Sequence, residues 1–88
     1  MASTFEAVRA KALFVSCLQP SQRPAGDDVR SAVATELRRH GIRGCTAAVA
    51  AEFGHHPDCA VARMNWALST VRTVYPELSA TVRSVRAA

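Results

Sequence analysis

Apolar side chains recur at steps of three and four through most of the 88-residue chain, the spacing of one face of an α-helix. The cleanest stretch is Val61, Met64, Leu68, Val71 and Tyr75, and Pro76 ends or kinks it. Near the start, Ser3-Thr4-Phe5-Glu6 fits a capping box and opens a helix that runs to about Gln19, before Pro20. Its first half is amphipathic through Phe5, Val8 and Ala12. Its second half, Ala12 to Leu18, is apolar nearly all round and needs cover on several sides, from its own domain or from a second copy. Pro20 to Gly26 reads as a loop. A second helix begins near Pro24 or Asp27, with Asp27 and Asp28 at the positive end of its dipole and Val29, Ala32, Val33 and Leu37 inward. Gly41 is its expected left-handed cap, with Ile42 folding back onto the last turn. A short third helix spans about Cys45 to Phe53, with Ala48, Val49 and Phe53 inward and Gly54 at its end. His55-His56-Pro57 makes the next turn, and Pro57 and Asp58 suit the start of the fourth helix. Leu78, Val82 and Val85 mark a fifth segment. No alternating run suits a strand, and there is no internal repeat. The expected fold is all-α: one domain over residues 1–88, a four- to five-helix orthogonal bundle containing a helix-turn-helix-like pair.

Composition narrows the setting. With 49% hydrophobic and 20% charged residues the chain is of ordinary globular type rather than disordered. No apolar run approaches the roughly 18 residues of a membrane span, and no export signal stands at the N-terminus. Three cysteines in such a chain are expected to be reduced and cytoplasmic. The net charge is +4, and ten of the eleven basic residues are Arg. Together with abundant Ala and Val, that bias is the signature of a high-GC genome, so the Arg excess alone says little about phosphate recognition.

The segment Thr46 to Leu68 carries the most suggestive pattern. Ala47 to Phe53 supplies a first helix, Gly54 a turn glycine, and Asp58 onward a second helix, with Ala50 as the small residue that permits close packing. Over about a quarter of the chain this resembles the helix-turn-helix of DNA-binding regulators. The resemblance implies that Arg63 and Asn65 contact bases or phosphates, with Trp66 beside them. The alternative is that Trp66 packs against another helix. Arg38, Arg39 and His40, followed by Arg43, form the densest basic group, either a phosphate clamp or cations attracted to a helix C-terminus. Glu52 and Asp58 weigh against phosphate contact at that end.

Other chemistry is poorly served. Cys45, His55, His56 and Cys59 match no familiar zinc spacing, and the cysteines read better as small hydrophobes, so no metal is expected. No nucleophile motif or phosphate-cradling glycine loop is present, and Asp27 and Asp28 diverge on a helix; neither catalysis nor a cofactor is expected. Two stretches, Ala12 to Ser21 and Gly44 through Glu52-Phe53-Gly54-His55-His56-Pro57 to Ala67, are similar to a group of small uncharacterised proteins of high-GC actinobacteria. That resemblance implies a cytoplasmic bacterial protein and brings no activity with it. The leading expectation is a homodimeric, DNA-binding regulator that pairs through the apolar face of Leu13, Phe14 and Leu18 and through the Tyr75–Val85 tail. The rival is a non-enzymatic interaction module that docks a protein through Trp66 or through the Leu13–Leu18 face.

Overall fold

Three helices build the structure: α1 (Thr4–Val15), α2 (Gly26–His55) and α3 (Pro57–Val74), with a 3-10 turn at Pro20–Gln22 between the first two. The computed structural model describes residues 4–76, so Ser3 of the capping box and the expected fifth helix lie outside the described residues. Among those residues there is no strand. The all-α class therefore holds, and the expected second and third helices are the two halves of α2, which part at a kink at Gly41.

That element, α2, is interrupted at Gly41, where φ is 68° and ψ is 174°. A side chain strongly disfavours this combination, which is nearly exclusive to glycine and differs from the left-handed cap anticipated there. Gly44 is needed for a different reason: a Cβ at that position meets the His40 Cβ at 2.9 Å. The break turns Ile42 outward, 57% exposed, rather than back onto the preceding turn.

Two other boundaries depart from expectation. α1 stops at Val15 because the Ser16 hydroxyl donates to the Leu13 carbonyl at 2.7 Å and accepts the Leu18 amide at 3.3 Å, a local alternative to further helix. The chain then closes a tight turn in which the Gln19 amide donates to Gln22 Oε1 and the Arg23 amide donates to the Pro20 carbonyl. Gly54 is not a turn residue: α2 continues through it to His55. The single residue His56 makes the corner, at φ −140° and ψ 68°. Pro57 forces this, since its ring disfavours helical geometry in the residue before it and suits the first position of α3.

The core draws on all three helices. α1 contributes Ala10, Ala12, Leu13 and Phe14; α2 contributes Val29, Val33, Cys45 and Val49; α3 contributes Ala60, Ala67, Val71 and Val74. The inward line of α3 is thus Ala60, Met64, Ala67, Val71 and Val74; Met64 and Val71 belong to the expected stripe, Leu68 and Tyr75 pack partly buried beside it, and Ala60, Ala67 and Val74 take buried places. Val61, the expected start of that stripe, is 50% exposed. Small residues win the contact because two helix backbones can approach closely only across them. α1 and α3 run antiparallel. Near one end Arg72 Nε meets Glu6 Oε2 at 3.2 Å, and the Arg9 guanidinium lies 4.1 Å from the Tyr75 ring centre. At the other end Arg63 meets Phe14. No helix of the described residues is long and apolar enough to cross a membrane.

Candidate functional site

The arginines divide into those used to hold the helices and those left to solvent. Arg63 belongs to the first group. From α3 it reaches the end of α1, where Nε donates to the Phe14 carbonyl at 2.6 Å and Nη2 donates to the carbonyls of Ser16 and Leu18 at 2.9 and 3.0 Å. A longer contact, 3.5 Å, runs to the Leu13 carbonyl. Helix C-termini expose carbonyls with no partner in the helix, and a guanidinium carries enough donors to serve several at once. Burial pulls the Arg63 pKa down from its ordinary value, and nearby Glu52 opposes that pull. Nε and Nη2 of Arg63, which the sequence reading placed on bases or phosphates, are thus spent on the carbonyls at the end of α1.

Trp66 stands one turn further along α3. It is half-buried against the core, and the Arg63 guanidinium lies 5.0 Å from its ring centre. The packing alternative for Trp66 is therefore the one the structure supports. Asn65 is exposed beside it. Arg9, Arg30 and Arg72 are also engaged: Arg9 over Tyr75, Arg30 with Asp27 and the Val74 carbonyl, Arg72 with Glu6. Arg38, Arg39 and Arg43 are exposed around the break at Gly41 and have no ion pair among the described residues.

The apolar end of α1 is not an open pairing face. Leu13 is wholly buried and Phe14 nearly so, with the Phe14 ring stacked on Phe53 at 6.1 Å between ring centres. Leu18 is partly covered by the same core. The cover this segment needed comes from its own chain, so Leu13 is closed off and only an edge of Phe14 reaches the surface. The Val85 end of the second expected pairing surface lies outside the described residues.

What the packing does leave is a groove. Between the end of α1 and the second half of α2, a depression of about 400 Å³ is lined by Phe14, Val15, Ala48 and Ala51, with Glu52 and Arg63 as its charged members. The α2 wall is unusual for an exposed helix. Thr46, Ala47, Ala48, Ala50 and Ala51 are all exposed, and no charge occurs between Arg43 and Glu52. The sequence reading placed Ala48 inward and took Glu52 as unfavourable to phosphate, and it did not bring Val15, Ala48, Ala51 and Glu52 together as one site. The uncharged run from Gly44 to Ala51 was the available signal, but it read as core, whereas only Cys45 and Val49 of that run are in fact buried.

The remaining chemistry is spare. No group of three or more His, Cys, Asp or Glu side chains among the described residues is placed to hold a metal ion. Cys45 is buried, its Sγ 3.8 Å from the Glu36 carbonyl, and burial followed by the charge of Glu36 pushes its pKa up. Cys17 and Cys59 are exposed. No protein-family model, curated protein or solved structure matches the chain.

Proposed function

We propose that this protein is a non-enzymatic helical interaction module that receives an apolar segment of a protein partner in the groove between α1 and the second half of α2. The observation that carries the reading is the groove itself: an apolar lining of Phe14, Val15, Ala48 and Ala51 beside one acid and one base. An amphipathic helix docks in such a groove by burying its apolar face, while the flanking charges set its direction. The three free thiols support a reducing, cytoplasmic setting.

The test is recovery of partners by the wild-type chain and by Ala51→Glu. Ala51 is exposed, so a carboxylate there leaves the fold intact and places a charge on the apolar lining. The reading requires a discrete partner that Ala51→Glu fails to recover while its circular dichroism stays that of wild type. Equal recovery by both contradicts it.

A second reading keeps nucleic acid as the partner, favoured by Arg38, Arg39 and Arg43 standing exposed and without ion pairs among the described residues. Glu52 and Asp58 and the withdrawal of Arg63 weaken it at the helix-turn-helix-like pair. Fluorescence anisotropy on mixed duplexes at low salt decides: binding through these residues weakens steeply as salt rises, and weakens again when all three become Gln.

A further inference from the structure

A second cleft, of about 530 Å³ and lined in part by Trp66, opens between the Pro20–Pro24 loop, the first turn of α2 and the C-terminal half of α3. It shares no lining residue with the groove, so ligand binding in the cleft and partner binding in the groove stand or fall separately. We propose that this cleft binds a small phosphate ester bearing a planar ring, of the mononucleotide class.

The charge of the lining is one-sided. Among the described residues Arg23 and Arg30 line the cleft and no carboxylate does. Arg30 is held in place, its Nη2 donating to the Val74 carbonyl at 3.2 Å and its Nη1 paired with Asp27 at 2.9 Å. Asp27 is itself almost fully exposed and gives that pair little protection from water. Arg23 has no hydrogen bond or ion pair from its side chain among the described residues, which leaves its planar fork open to a phosphate.

The backbone at Arg23 adds a second observation. Its φ is 47° and its ψ 60°, a left-handed conformation that costs an ordinary side chain and favours glycine or asparagine. The turn it closes uses only its amide, donated to the Pro20 carbonyl. Glycine closes the same turn without strain, so the turn itself makes no demand for a guanidinium.

The opposite wall supplies the rest. Trp66, Ser69, Thr70 and Thr73 fall at steps of three or four along α3 and line the cleft together. Thr73 Oγ1 donates to the Ser69 carbonyl at 3.1 Å, while the Ser69 and Thr70 hydroxyls make no hydrogen bond among the described residues. Hydroxyl donors beside two arginines suit phosphate oxygens, and the indole face suits a stacked base. The size lies within the roughly 300–1,000 Å³ of small-ligand clefts.

Trp66 is the single tryptophan of the chain and reports on the cleft directly. Its emission is followed while the full-length protein is titrated with adenosine monophosphate at low salt. A saturable change is expected, with adenosine and inorganic phosphate each binding more weakly by about tenfold or more. Arg23→Gly and Arg23→Asn, both suited to the left-handed turn, weaken the nucleotide by about tenfold or more and keep the wild-type thermal midpoint or exceed it. No saturable change into the millimolar range overturns the proposal. So does unaltered nucleotide affinity in a folded Arg23 variant, or adenosine binding as tightly as its monophosphate.

Discussion

Arg63 Nε donates to the Phe14 carbonyl at 2.6 Å across 49 positions of sequence, and the same guanidinium serves Ser16 and Leu18. One side chain of α3 thereby caps the end that Ser16 gives α1, ties down the carbonyl of Phe14, whose ring stacks on Phe53, and lines the groove. The residue that looked most like a ligand contact is the clamp that shapes the site.

Removing that clamp is expensive. Hydrogen bonds to a charged group each contribute about 1.5–3 kcal/mol, but these three share one guanidinium and are not additive. Arg63→Ala is therefore expected to lower unfolding free energy in urea by about 2–4 kcal/mol. Arg63→Lys recovers less than half of the loss, because an ammonium has no planar fork to span several carbonyls. A loss below about 0.5 kcal/mol for Arg63→Ala, the range of ordinary surface changes, contradicts this role.

Two glycines have opposite expected responses. Gly54 sits inside α2 with nothing within 4 Å of where a Cβ points, so Gly54→Ala stabilises by about 0.5–1 kcal/mol through helix propensity. Gly41→Ala forces a side chain into a glycine-only conformation and costs about 1–3 kcal/mol. Thermal unfolding of both variants checks the pair. If Gly54 were the turn glycine of a helix-turn-helix, its substitution would destabilise as well.

The thiols separate by exposure. Cys17 and Cys59 are expected to react rapidly with a disulfide reagent and Cys45 only after unfolding. Counting fast and slow equivalents of released thiolate measures this, and a third fast equivalent contradicts the buried placement of Cys45.

Cys45 also links stability to alkaline pH. Its folded pKa is raised by burial and then by Glu36. An unfolded thiol ionises near about 8.5 while the folded one stays protonated, so the unfolded state binds fewer protons above that pH. Its contribution to stability is complete below the unfolded pKa and is lost as pH rises past it, until the folded thiol also ionises. Urea midpoints from about pH 7 to 10, which bracket the thiol range, are expected to fall, with a shallower fall in Cys45→Ala. Equal slopes in the two proteins contradict this source of the effect.

Much of the helical layout was legible because helix-forming periodicity is local. Val29 and Val33 are buried where the spacing put them, and Pro57 opens α3 as its fixed φ demands. Most of the misreadings share a cause, a contact distant in sequence, while Gly54 and the early end of α1 were decided by near neighbours. α3 turns Ala60 and Ala67 inward instead of Val61 because close helix approach selects small residues, which side-chain size does not reveal. Arg63 looked free because carbonyls at the end of α1 carry no sequence signal. Leu13 and Phe14 looked unpartnered because their cover comes from α2 and α3 of the same chain. Gly54 looked like a terminator, although Pro57 sets the corner two residues later at His56. The groove followed the same rule: Ala48 and Ala51 become site residues only once the end of α1 lies beside them.

The claim on which the rest depends is that the Arg63 guanidinium is spent on the end of α1. Proton exchange at the arginine Nε–H groups, followed by nuclear magnetic resonance on the wild-type protein, measures this without any substitution. The structure predicts that the Arg63 Nε–H, bonded to the Phe14 carbonyl, exchanges at least about tenfold more slowly than those of exposed Arg38 and Arg39. Exchange of Arg63 at the rate of those two residues contradicts the clamp, and with it the groove it shapes.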